Sequence, residues 1–466
     1  MRYTRWILIA SLIFVSACAP VSTHYALVEQ RLATHDGMGA DAAIEKEESG
    51  YGRNNRLLYF MDRGMTLSLA GQFEKSNQML DQAATTADTL YTDSMTRSSA
   101  ALLTNDNMLP YSGEDFERVM IHLISALNYA QQGDIVEALV ECRRVDTKLN
   151  SINDQYQDKK NGYKEDAFAR YLSGILYEAQ GEINDAFISY RKAFEIYSDW
   201  AVTYGTAMPP MIGADLLRTT DALHMREEHE EYKKRFPTTK FLDQKGQGEL
   251  IIVSFNGRSP RKENQFFDIV LNQNIINSIL TTAIWQSHAG SGKISFSTIG
   301  QLVRIALPTY VPQKSDVGQV SVSLTGPVFL SGQSVLMEDI TAIAQRNLED
   351  RMNRIRIKAI TRATIKALEV KRLSQRAEEK MEGVAGFLLG KIAEAAMATT
   401  EVADKRSWRT LPDEIHLTRM VVPSGTYQVA SQFISRHGES AIDAMPPQPV
   451  LVKAGEKRFI VIRTIH

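Results

Sequence analysis

Between residues 60 and 200, three windows repeat one spacing of small and large residues, and that spacing constrains the fold more than any other feature. The first window is Gly64, Leu67, Gly71, Ser76, Leu80 and Ala83. The second is Ala126, Tyr129, Gly133, Ala138, Cys142 and Val145, and the third is Gly174, Tyr177, Gly181, Ala186, Tyr190 and Ala193. In each, a small residue is followed at the same offsets by a large one, a glycine, a second small one, a large one and another small one or valine. Small residues let two antiparallel helices approach closely. The glycine ends the first helix in a left-handed conformation that other residues rarely adopt. A pair of this kind cannot bury its apolar face alone, so pairs stack. Unrelated helical hairpins sharing one turn are the alternative.

The strings ALNYAQQGDIVEAL and GILYEAQGEINDAFISYRKA resemble the tetratricopeptide repeat, with its small–aromatic–small first helix and alanine-containing second helix. A strict array of that family repeats at about 34 residues. Here 62 residues separate Gly64 from Ala126 and 48 separate Ala126 from Gly174. Extra chain is therefore expected around 88–108 and 150–164, and a clean superhelix with a standard peptide groove is not.

A further helix is expected from Gly213 to Arg235, stopped by Phe236-Pro237. Pro209-Pro210 should redirect the chain before it. Composition then shifts to strand signals at 248–255, 293–297, 302–306 and 320–324, with Pro308, Pro312 and Pro327 as breakers. Three more fall at 415–422, 426–434 and 458–465. The pieces VVPSGTYQV and VLVKAGEKRFIVIR look like strand–turn–strand units of immunoglobulin-like sandwiches.

The expected fold is multidomain α plus β: a TPR-like helical-pair α-domain, then an antiparallel β-sandwich-like domain carrying a long helical insertion. The boundaries are a signal peptide over 1–17, a tether over 18–50, part of which could instead be a first helix docking on the body, and helical pairs over 51–245. The β domain follows over 246–335 and 403–466, interrupted by a basic helix over 336–402. Residues 383–398 are small and apolar, but Lys391 and Glu394 make them a poor membrane span.

The start of the chain carries its most specific motif. Arg2 and Arg5 precede an apolar run from Ile7 to Val15, closed by Val15-Ser16-Ala17-Cys18. A basic start, a short apolar core and small residues before a cut site mark a secretory signal peptide. V-S-A-C resembles the lipobox of bacterial lipoproteins. The resemblance implies cleavage between Ala17 and Cys18, a diacylglyceryl thioether on Cys18 and an acyl chain such as palmitate on its amino group. An ordinary signal peptide cut at another small residue is the alternative. Ala19, where aspartate would retain the protein in the inner membrane, favours the outer membrane. Cys142 would be the only free thiol, and in an oxidising compartment it should be buried.

Fifty-three basic and 55 acidic residues give a net charge of −2, which predicts no general attraction to nucleic acid. That total hides an asymmetry. Residues 18–245 carry 24 basic and 35 acidic side chains, whereas 246–466 carry 27 and 20. The two halves could attract each other. Alternatively, the basic stretch 346–380, with eleven basic and five acidic residues, could bind an anionic partner.

Signatures of catalysis are weak. His224 and His229 lie five apart, about 500° around a helix, and cannot hold one metal from one face. Gly290-Ser291-Gly292-Lys293 lacks both the first glycine and the Ser/Thr of a phosphate loop. No G-x-S-x-G elbow occurs, and the nine histidines show no metal-ligand spacing. No catalytic residue, metal or cofactor is assigned. Trp408 is expected to plug the core rather than present a ligand platform.

The segments EDAFARYLSGILYEAQGEINDAFISYRKA and DKRSWRTLPDEI resemble an uncharacterised family of bacterial outer-membrane lipoproteins with tetratricopeptide-like repeats. That resemblance implies an architecture and a location but no established activity, and a setting like that of lipoproteins that assist cell-wall synthesis suggests envelope proteins as partners. The leading expectation is a periplasm-facing scaffold or adaptor, not an enzyme. A self-associating subunit of an envelope or secretion assembly is the second expectation. A protein that binds or processes cell-wall glycans is the third.

Overall fold

The computed structural model describes residues 23–96, 106–156, 162–239, 246–272, 274, 300, 302–380, 402–438 and 441–466. Ala17, Cys18, the phosphate-loop-like glycines, the strand expected at 293–297 and the apolar run 383–398 lie outside them.

The first half of the described chain is built from five helical hairpins. They are α1 (Thr23–Ala33) with α2 (Gly37–Lys46), α3 (Arg56–Leu69) with α4 (Phe73–Thr96), and α5 (Asp115–Gln132) with α6 (Ile135–Asn153). Then come α7 (Ala167–Ala179) with α8 (Ile183–Thr203), and α9 (Met211–Ala222) with α10 (Arg226–Arg235). One turn closes all five. A residue at positive φ (His35, Gly71, Gly133, Gly181, His224) is followed by one whose N–H donates to the carbonyl five positions back, at 2.9–3.0 Å. This is the Schellman closure, which satisfies carbonyls the helix end would leave open. Glycine marks only the middle three turns. Histidine takes the left-handed position in the outer two, so the single helix expected over 213–235 is two helices broken at His224.

Residues 23–46 are likewise not a tether. Val28, Leu32, Ala40 and Ile44 are buried in the main core, and Asp36 caps α2 by accepting from the Gly39 N–H at 2.8 Å. Alternating small and apolar residues in a charged background conceal this hairpin.

The second half forms two four-stranded sheets and a separate ribbon. The first sheet has the order β10 (Lys457–Thr464), β1 (Gln247–Asn256), β7 (Glu414–Pro423), β6 (Val335–Asp339). The second runs β5 (Phe329–Gln333), β4 (Val317–Thr325), β8 (Gly425–Ser435), β9 (Ala441–Val452). Leu250, Ile252 and Val422 of the first sheet share one apolar cluster with Val320, Val322, Tyr427 and Phe433 of the second. The Tyr427 hydroxyl donates to the Pro423 carbonyl at 2.8 Å and closes the β7–β8 corner.

The β domain departs from a purely antiparallel one, because β1 and β10 pair in parallel from Glu249/Lys457 to Asn256/Thr464. Parallel neighbours need a long connection, and residues 257–456 supply it. β1 is buried along nearly its whole length, as strands covered on both faces are.

The ribbon pairs β2 (Arg261–Val270) with β3 (Leu302–Val311). Pro308 stands inside β3, opposite Asn264, rather than ending it. A two-stranded ribbon leaves each strand one outer edge, where a residue without an N–H does no harm. Residues 336–339 belong to β6, not to the long helix, which is α11 (Ile340–Lys380). One stripe of α11, Ala359, Ala363 and Ala367, packs on Val303, Ile305 and Leu307 of β3.

Candidate docking groove

The repeat positions fall where helices touch. A Cβ on Gly64 would lie 2.5 Å from Cδ2 of Leu80, and one on Gly174 would lie 2.4 Å from Cε1 of Tyr190. In the first and third windows the first small residue is thus matched to the large residue sixteen positions on. The corresponding residues of the middle window, Ala126 and Cys142, are both buried. Burial pushes the Cys142 thiol up to about 12, which leaves it unreactive. Ala83, Ala138, Ala186 and Ala193 are buried, whereas Leu67, Tyr129 and Tyr177 supply the carbonyls that close the turns. The repeat-defining residues are therefore packing and turn positions.

The inner face of the stack is not open. Helix α5 is buried from Asp115 to Asn128 without a break. Helices α3 and α5 meet β10, α7 meets β6, and α11 crosses α5. Trp408 is buried in the same core. Its backbone N–H donates to Glu117 Oε1 at 2.6 Å and its indole N–H to Thr410 Oγ1 at 2.8 Å.

Charge stitches this seam. Among the described residues, every lysine or arginine pair across it puts the carboxylate on the helical side: Glu29, Glu114, Glu178 and Asp215 meet Arg409, Lys262, Arg351, Lys457 and Arg419. At its centre Arg419 also binds Glu249 at 2.6 Å. Although burial opposes the charge, Arg419 and Lys457 hold the Glu249 carboxyl well below the usual range. A second buried acid, Asp62, accepts from Tyr25 at 2.6 Å, Tyr51 at 2.8 Å and Thr410 at 2.9 Å. Its burial outweighs those bonds and raises its pKa to about 6.

The outer face carries a groove. Two adjoining cavities of about 400 and 540 Å³ run between α4 and α6 with α5 as the floor, sharing Asp81, Ala84, His122 and Arg144. Glu74, Asp81, Glu137 and Glu141 make one end acidic, while Arg118 and Lys148 stand with Asp88 at the other. His122 Nδ1 lies 2.8 Å from Glu141 Oε2, and Arg144 binds the other Glu141 oxygen at 2.7 Å. The Ser125 hydroxyl below them donates to the Ile121 carbonyl at 3.1 Å, so it is not aligned on the imidazole. Among the described residues no cluster of His, Cys, Asp and Glu could hold a metal, and no helix is long and apolar enough to cross a membrane. The groove offers fixed charges and hydrogen-bonding groups to a polar segment of another molecule. Nothing in the sequence marked it, because its walls are ordinary exposed helix positions.

The chain is a helical-hairpin stack closed on one face by its own β domain. No family profile and no curated protein matches it. Solved structures with partial likeness are two of MamA, at 15% and 14% identity, which cover 45% and 47% of this chain and 92% and 96% of MamA, with TM-scores of 0.29 and 0.28. A kinesin light chain from Podosopora anserina with nearly identical TPR-like repeats aligns at 14% identity over 46% of this chain and 92% of its own, with a TM-score of 0.30. The likeness spans less than half of this chain.

Proposed function

We propose that this protein is a lipid-anchored scaffold of the bacterial outer membrane. It faces the periplasm and docks an envelope protein in the groove between α4 and α6, without chemistry of its own. The observation that carries the reading is the closure of the inner face. The stack's own sheet and Trp408 fill that side, and the outer side keeps an open groove. Stacked pairs give a rigid platform for a partner without needing reactive groups.

The anchor follows from V-S-A-C and gains a geometric consequence from the first hairpin. Only five steps along the chain lead from Cys18 to Thr23, the start of α1. At no more than about 3.6 Å per residue, they hold the body within roughly 18 Å of the acylated cysteine. The scaffold therefore rides close to the membrane surface instead of ranging through the periplasm, and a setting beside cell-wall synthesis is within its reach. Cell fractionation tests the anchor. Wild-type protein stays with outer membranes in high salt and Cys18→Ala is released; retention of the variant would remove the anchor.

A second reading, assembly from several copies, has one observation in its favour. Phe266, Phe267, Val270 and Leu302 on the β2–β3 ribbon are exposed, and an exposed apolar strand edge is a template for pairing. Concentration-independent monomers of acyl-free protein in sedimentation would dismiss it.

A further inference from the structure

The two cavities between α4 and α6 differ in how their charges are met within the chain. At one end Arg118 and Lys148 both pair with Asp88. At the other, Arg144 and His122 hold Glu141. Glu74 and Asp81 on α4 and Glu137 on α6 line that second end as well, are exposed, and form no ion pair among the described residues. Glu74 and Asp81 are seven residues apart, so they lie on one side of α4 with about 10 Å between them along the axis. Glu137 stands on the opposite wall.

Carboxylates on a helix surface are common and mark nothing alone. The floor of the groove adds a buried group. Only 8% of the His122 side chain is exposed, yet it lines both cavities. Its Nδ1 lies 2.8 Å from Glu141 Oε2. A carboxylate only accepts, so Nδ1 carries the proton and the neutral ring leaves Nε2 as an acceptor. Among the described residues Nε2 has no partner. Walls and floor therefore converge as acceptors, while the amides Asn77, Gln78 and Gln132 between them can accept as well as donate. Lysine and arginine carry donors alone and gain from each carboxylate they meet. Their apolar stems would lie on Leu80, Ala84 and Ile121 of the same cavity.

We propose, resting on the docking reading above, that the segment of the envelope protein seated in this groove is basic. It brings at least two lysine or arginine side chains against Glu74, Asp81 and Glu137, and one of them donates to His122 Nε2. The paired end of the groove, at Asp88, takes the uncharged remainder of the segment.

Photo-crosslinking of the full chain in living cells tests it, with the photoreactive residue at Gln78, between Glu74 and Asp81 on α4, and the adducts mapped by tandem mass spectrometry. The mapped segment should carry two or more Lys or Arg within about seven residues, a length that spans 10 Å in a helix and exceeds it in a strand. Glu74→Gln, Asp81→Asn and Glu137→Gln combined should cut the adduct yield about fivefold or more. Asp199→Asn, the same kind of change at an exposed site outside the groove, should alter it less than about twofold. Circular dichroism checks that the triple variant is folded, and the mapping with unaltered carboxylates needs no variant of them. No adduct from position 78, or adducts only to a second copy of the chain, would end the docking reading and this proposal with it. A mapped segment without Lys or Arg, or a yield unmoved in the folded triple variant, would overturn the basic partner and leave the docking reading standing.

Discussion

Arg419 on β7 and Asp215 on α9 form a buried ion pair, Nη1 to Oδ2 at 2.7 Å, that ties the sheet to the helical stack. The same guanidinium reaches Glu249 through Nε and the Tyr171 hydroxyl through Nη1 at 2.6 Å. With Arg218, Lys457 and Glu178, three cations and three carboxylates balance there. Arg419→Met would leave Asp215 and Glu249 short of their main counter-charge. A loss of about 3–5 kcal/mol is expected, as for other broken buried pairs, and urea unfolding followed by circular dichroism measures it.

The small positions of the helical pairs are set by contact, not by turn geometry, and two glycines separate the effects. Gly174→Ala drives a methyl into the Tyr190 ring and should cost about 1–3 kcal/mol by overpacking. Gly181→Ala meets open space, but it must hold φ near 81°, a strain of about 1–2 kcal/mol. A second change, Tyr190→Leu, should rescue part of the Gly174→Ala loss and none of the Gly181→Ala loss in thermal melts.

Histidine at a left-handed turn position carries avoidable strain. His224 is exposed at φ 56°, and His224→Gly should raise stability by roughly 0.5–1 kcal/mol, after the entropy that glycine adds to the unfolded chain. His35 sits at the same φ, but its Nε2 lies 3.2 Å from Asp443 Oδ1. His35→Gly should therefore gain nothing. Paired melting curves distinguish the two outcomes.

Much of the helical half was legible in its sequence, because glycine at a turn and small residues at a crossing each have one physical cause. The outer hairpins escaped because histidine replaces glycine in their turns. In the β half, strand signals exposed β1, the first half of β3, β4, β7, β8 and β10. β2 was hidden by its polar residues, and β9 by Pro446, Pro447 and Pro449, which an edge strand tolerates. The unequal charges of the two halves were visible as totals, and the seam explains them: acids on the stack face bases on the β half. The groove could not be read in advance, since it gathers residues far apart in sequence into a surface without periodicity.

Acid should stabilise one part of the core. Asp62 holds its proton up to about pH 6 when folded, against an ordinary value of 3.8. Between those values the folded state binds more protons than the unfolded one. Its contribution to stability therefore rises as pH falls through 6 and levels off below about 4. The gain is roughly 2–3 kcal/mol. Asp62→Asn should flatten this part of the profile between pH 7 and 5. Glu338 and Asp166 are also raised by burial, and they keep a residual slope of the same sign. Unfolding free energies across that range, in both proteins, provide the check.

Docking on this scaffold requires that the α4–α6 groove meet a partner while the chain's own β domain closes the inner face. Photo-crosslinking in living cells tests it most directly, with a photoreactive residue placed at Gln78, Thr85 or Thr147 on the groove walls and at Asp199 on α8 as an exposed control. One or two shared envelope-protein adducts are expected from all three groove positions and none of them from Asp199. Adducts from Asp199 alone, or the same adducts from every position, would contradict it.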